Sequence, residues 1–164
     1  MSASKLTFLY CAILAAVLVG ATANREAPRA EARRPLGRVA HAARSVWDSV
    51  YTAEQAKRGE AIYVARCARC HAEKLTGQND SPTLVGPMFL ANWNNFTVFD
   101  LNDKIYTMMP SDSVGVLSRE LVTDVMTYVF SFNGFPAGKT EMQPTPEYMK
   151  DIKIQASKPE RPSR

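Results

Sequence analysis

Cys67 and Cys70 are separated by two residues, and His71 follows directly. This C-x-x-C-H pattern is the attachment site of a c-type haem. Two thiols can add to the two vinyl groups of one macrocycle as thioethers, and the neighbouring imidazole can reach the iron as an axial ligand. The spacing matters because both sulfurs must meet one side of the ring and the histidine must swing at once beneath the metal. The chemistry implied is the handling of electrons.

Other chemistries fit these residues less well. A zinc ribbon needs four Cys or His ligands. The chain has three cysteines and two histidines. Cys11 lies in an N-terminal apolar run, which leaves Cys67, Cys70, His71 and His41 as the sole candidates. A thioredoxin-like dithiol needs a βαβ setting, and the flanks here read as helix.

The elements that must position these side chains are legible as helices. Thr52-Ala53-Glu54-Gln55 reads as a capping box, so a helix is expected to run from there toward Cys67. Gly59, Tyr63, Cys67 and Cys70 then share one face. A glycine inside a helix costs about 1 kcal/mol relative to alanine, and close approach of another helix would explain it. Ser118 can cap that second helix, from Arg119 to Asn133, with Leu121, Val122, Val125, Tyr128, Val129 and Phe132 on one face. Tyr128 and Phe132 are read as core. Asn133-Gly134 and Pro136 supply its stop. A third, shorter helix is expected after Thr97-Val98-Phe99-Asp100, with Leu101, Ile105 and Met108 on one face. The stretch 79–87 reads as loop, with Met88 in an apolar continuation. No convincing strand pattern appears, so the fold class is mostly α.

The ends differ in composition. Lys5, an apolar run from Leu6 to Ala23 and the Ala21-Thr22-Ala23 triplet have the layout of a secretory signal, so residues 1–23 are expected to be a signal peptide. An uncleaved membrane anchor is the alternative. Residues 24–44 hold six arginines against two glutamates and read as a basic Ala/Arg/Pro linker. His41 falls there and is given no role. Residues 45–139 are read as one small domain, and residues 140–164, with many prolines and charges, as an extended or disordered tail in which the Ile152-Lys153-Ile154 alternation can lie as an extended piece on the domain. Export agrees with haem attachment and implies a periplasmic location.

From about Thr52 to Asn133 the chain resembles the class I c-type cytochromes. The attachment motif, Gly59, Tyr63 and the aromatic last helix carry the likeness. The resemblance implies a small class I fold, with helices wrapped around one covalent haem c and with the first and last helices crossing at Gly59. It also implies that the Pro82 carbonyl accepts a hydrogen bond from the ligand imidazole. The wider run 45–138, including Val46-Trp47-Asp48, Phe89 to Trp93 and Asn133 to Pro136, resembles exported bacterial cytochromes that accompany quinoprotein dehydrogenases.

The second axial ligand must come from a methionine if the iron is closed. Met108 and Met109 end the third helix, and Pro110 pushes Met109 out of helical conformation and into a loop. The family places its ligand in such a loop, so Met109 is favoured and Met108 is its substitute. Trp93 has two readings: an indole N–H donor to a haem propionate, or a core aromatic. Arg66 and Arg69 read as a solvated face, with a salt bridge to a propionate as the alternative.

These expectations point to an electron-transfer protein, not itself an enzyme, working between a dehydrogenase or membrane complex and an oxidase or second cytochrome. The competing class is a haem enzyme or gas-binding sensor with an open distal site. Residues 45–139 carry eight Lys/Arg and ten Asp/Glu, a net of −2, so the basicity of the chain lies in its ends. Nothing suggests a nucleic-acid partner. Membrane association would come through the N-terminus.

Overall fold

The computed structural model describes residues 44–160. The expected signal or anchor (1–23), all of the basic linker except Arg44, Cys11 and His41 lie outside the described residues. Six α-helices, two two-residue strands and one 3-10 turn are present among the described residues. They are β1 (Arg44–Ser45), the turn Val46–Asp48, α1 (Ala53–Arg66), α2 (Ala68–His71), α3 (Gly86–Trp93), α4 (Val98–Met108), α5 (Arg119–Phe132), α6 (Pro146–Lys150) and β2 (Ile152–Lys153). The class is mostly α, as the patterns predict.

The two long helices, α1 and α5, pack across each other at Gly59. A methyl group there would overlap the Asp124 carbonyl and press on the Val125 nitrogen at 3.0 Å. Only a bare Cα allows the backbones this close. Arg58, one residue before, reaches across the crossing to Asp124 at 2.9 Å and to Glu141 at 2.7 Å. Further along, the Tyr63 and Tyr128 rings pack at 5.3 Å between centroids.

Caps define the helix starts. Thr97 and Asp100 form a reciprocal capping box on α4, and the Ser118 hydroxyl accepts from the Leu121 N–H at the start of α5. At α1 only half of the expected box forms. The Thr52 hydroxyl accepts from the Gln55 N–H. The Gln55 side chain turns inward instead, donating to the Met142 carbonyl at 3.0 Å and accepting from the Met142 N–H at 2.8 Å.

The face of α5 also differs from the expected one. Val122, Val125, Met126, Val129 and Phe130 are buried, while Leu121 and Phe132 are 39% and 43% exposed. Gly59 meets α5 at Asp124 and Val125 and Tyr63 meets Tyr128, so the 122/126/129 side faces the rest of the core, and Phe132 stays half-exposed against Tyr128. Met88, read as a loop residue, sits in α3, whose first turn is Gly86-Pro87. That dipeptide reads as loop, yet proline suits a first helical turn because its missing N–H has no partner to lose there.

The largest difference concerns the stretch after Lys139, read as an extended or disordered tail. Residues 140–156 lie on the domain: Met142, Met149, Ile152 and Ile154 are each at most 1% exposed. β2 pairs in parallel with β1, Arg44 opposite Ile152 and Ser45 opposite Lys153. The Trp47 indole donates to the Gln155 carbonyl at 2.9 Å, and Ile154 exchanges backbone hydrogen bonds with Asn95 and Phe96. Ile152-Lys153-Ile154 lies extended on the domain, as its alternation suggests, whereas Met142 and Met149, which have no period, dock the rest of this charged, proline-rich stretch. Among the described residues, no helix is long and apolar enough to cross a membrane.

Candidate haem site

Helix α1 ends at Cys67, whose N–H still bonds the Tyr63 carbonyl at 2.8 Å. The short turn α2 follows, and the His71 N–H returns to the Cys67 carbonyl at 2.9 Å. The chain therefore presents Cys67, Cys70 and His71 from one continuous helical end. Ala72 then takes a left-handed φ of 63° and breaks the direction, and the Tyr63 hydroxyl holds that break by donating to the Ala72 carbonyl at 2.7 Å.

His71 is 9% exposed. Its Nδ1 lies 2.9 Å from the Pro82 carbonyl oxygen. A carbonyl only accepts, so Nδ1 carries the proton and the Nε2 lone pair is left for another partner. Such a bond fixes the tautomer and the ring orientation of a ligating imidazole. The loop bearing Pro82 is itself stitched down. Leu84 N–H donates to the Leu75 carbonyl at 2.7 Å. The Asn133 amide donates to the Leu84 carbonyl and accepts from the Gly86 N–H, each at 2.9 Å.

These side chains open on one cavity of about 380 Å³. Cys67, Cys70, His71, Pro82, Trp93 and Met109 all line it. Met109 caps α4 in an extended conformation, φ −125° and ψ 149°, and is half-buried. Met108 does not line the cavity and is 47% exposed; it packs neither there nor in the core. Met126, Met142 and Met149 are buried elsewhere, and Met88 is exposed. Trp93 packs edge-on against Phe96 at 5.7 Å.

Burial, with a smaller contribution from nearby Cys70, pushes the Cys67 thiol up to about 11. Reactive redox cysteines and metal-bound thiolates have lowered values instead. A neutral sulfur on an apolar wall suits a thioether. Among the described residues, no group of three His, Cys, Asp or Glu side chains could hold a free metal ion. Two thiols, an imidazole with its far nitrogen free and a thioether around one largely apolar cavity fit a covalently held haem.

Other residues at or behind the cavity wall were not legible as site residues. Asp112 lines it and pairs with Arg69, which the helical pattern assigns to a solvated face. Asn133 reads only as a helix stop, yet its side chain braces the Pro82 loop. In both cases the partner is distant in sequence, so spacing gave no signal.

Comparison with known proteins bears on this stretch. Residues 54–129 match the family model described as "Cytochrome C oxidase, cbb3-type, subunit III". No curated protein matches the chain. Among solved structures, the sulfane dehydrogenase SoxCD from Paracoccus pantotrophus is similar at 18% identity and a TM-score of 0.41, over 54% of this chain and 53% of that one. The chain thus spans about half the length of that protein. The family match begins at the second residue of α1 and ends within α5. The stretch that folds around the cavity is the stretch the family model describes, and residues 54–129 carry the likeness of a cytochrome c domain.

Proposed function

We propose that the protein is a one-electron carrier with a single haem c, joined through Cys67 and Cys70 and ligated by His71 and Met109. The observation that carries this reading is the cavity itself. Of the methionines in the described residues, Met109 alone lines it, together with His71. When bound, haem c supplies a one-electron ferric/ferrous couple. The Pro82 carbonyl keeps the His71 Nε2 lone pair available and aimed. Met109, extended before Pro110 and tied to α4 through its N–H to the Ile105 carbonyl at 2.8 Å, offers a neutral thioether. Met/His ligation raises the reduction potential and leaves no position for a substrate. Trp93, which lines the cavity, is the proposed donor to a propionate.

The proposed setting is the periplasm, after export on residues 1–23 with cleavage following Ala23; cytochrome c domains of this type are typically exported. The proposed electron donor is a dehydrogenase, a quinoprotein by the resemblance of residues 45–138, and the acceptor an oxidase or second cytochrome.

The test is ligand exchange. Reduced protein should not bind carbon monoxide rapidly, and the oxidised protein should show the weak long-wavelength band of His/Met iron. Met109→Ala should abolish that band and admit carbon monoxide, whereas Met108→Ala should do neither. Rapid carbon monoxide binding by the unaltered protein would instead identify a gas-binding or catalytic site.

A further inference from the structure

Among the described residues, the loop that follows Met109 shows one polar side-chain contact beyond its own neighbours. Within residues 109–117 the backbone hydrogen bonds are local: Met109 N–H to Ile105, Ser113 N–H to Pro110 and Val116 N–H to Ser113. Val114 and Val116 are 55% and 51% exposed, and packing resumes only at Leu117. Among the described residues, the ion pair between Arg69 and Asp112 is the polar link shown from this loop to another element. Arg69 stands between the two attachment cysteines on α2, and Asp112 lies three residues beyond Met109. Both line the cavity. The Ser113 hydroxyl donates to the other Asp112 carboxylate oxygen at 2.9 Å, orienting it. The Gln78 amide donates to the Arg69 carbonyl, fixing the backbone on the other side.

We propose that Arg69 and Asp112 are a positioning pair. They clasp the methionine loop to the attachment helix and so set how often the Met109 sulfur leaves the iron. This rests on the reading of Met109 as axial ligand. The clasp joins the segment bearing Cys67, Cys70 and His71 directly to the segment bearing Met109, across the cavity. Without it, the loop would be anchored only by α4 on one side and Leu117 on the other. Both side chains are largely exposed, 72% and 49%, so the pair is weak and sensitive to salt.

The experiment uses the haem-loaded full chain. Carbon monoxide is mixed with reduced protein at low salt, where its binding rate reports departure of the Met109 sulfur. Arg69→Gln and Asp112→Asn should each speed binding about two- to fivefold, the range an exposed pair can supply. The charge swap Arg69→Asp with Asp112→Arg should return the rate toward the unaltered value. At 1 M salt, with a screening length of about 3 Å, the unaltered protein should approach the single variants. Single variants at the unaltered rate, or a swap as fast as the singles, would overturn the clasp. Met109→Ala separates the two levels. It should bind carbon monoxide fastest and without salt dependence. If it leaves the rate unchanged, the ligand assignment falls, and the clasp's role with it.

Discussion

Two sulfurs one residue apart have different surroundings. Met109 is half-buried against the cavity and Met108 points away from it, because a residue before proline leaves the helix while its predecessor stays on it. The attachment cysteines make a parallel prediction. Cys67→Ala should leave one thioether and Cys67→Ala with Cys70→Ala none, so haem staining after denaturing electrophoresis should persist in the first and vanish in the second. Persistence in the double variant would rule out attachment at these positions. The Pro82 contact was implied by the class I resemblance from the stretch after His71, and its geometry is the one that leaves Nε2 free. Arg69 and Asn133 were not legible in the same way. Their side chains act through partners 43 and 49 residues away, and nothing in local spacing encodes such distances.

Helices α1 and α5 depend on a missing methyl group. Gly59→Ala would ordinarily help a helix by about 1 kcal/mol. Here the added carbon overlaps the Asp124 carbonyl, so the sign reverses, with a cost of about 1–3 kcal/mol or more. Denaturant unfolding of the two proteins checks this; a stabilised Gly59→Ala would mean that the helices do not cross as described. Gln55 gives a second prediction at this scale. Its two hydrogen bonds serve both backbone groups of buried Met142. Gln55→Ala leaves those groups without partners and should cost about 1–3 kcal/mol, whereas a residue acting only as a surface cap would cost less. The three principal helices were legible because caps and periodicity are local. The destination of the Gln55 side chain was not, because the capping-box pattern and an inward turn share one sequence. Helix α3 was missed for a related reason: Gly-Pro punctuates loops and also opens helices.

The whole molecule is closed by residues 140–156. Met142, Met149, Ile152 and Ile154 are buried, and burying a side chain of this kind contributes about 1.5–3 kcal/mol. A chain ending at Lys139 should therefore lose most of its stability; unchanged thermal unfolding would show that the segment is dispensable. Alkali tests a second long-range contact, between Tyr51 and Phe135. Burial pushes the Tyr51 hydroxyl from its ordinary 10 up to about 12, and that hydroxyl donates to the Phe135 carbonyl at 2.5 Å. The folded form holds the proton more tightly than the unfolded form. This contribution is therefore complete below about pH 10 and declines as the pH rises toward about 12. Tyr51→Phe should flatten that part of the stability profile measured by denaturant titration. An equal alkaline decline in both proteins would locate the cause elsewhere.

The parallel pairing of Arg44–Ser45 with Ile152–Lys153 has a topological meaning. Neighbouring strands lie about 4.8 Å apart, so the two ends of the described domain run side by side, the later one continuing past the pairing to Ile154, Gln155 and Ala156. Because the strands are parallel, tension on the two ends would draw them in opposite directions along their length. The ribbon's hydrogen bonds would then be loaded in shear, together rather than one by one, before any pull reached the helices around the cavity.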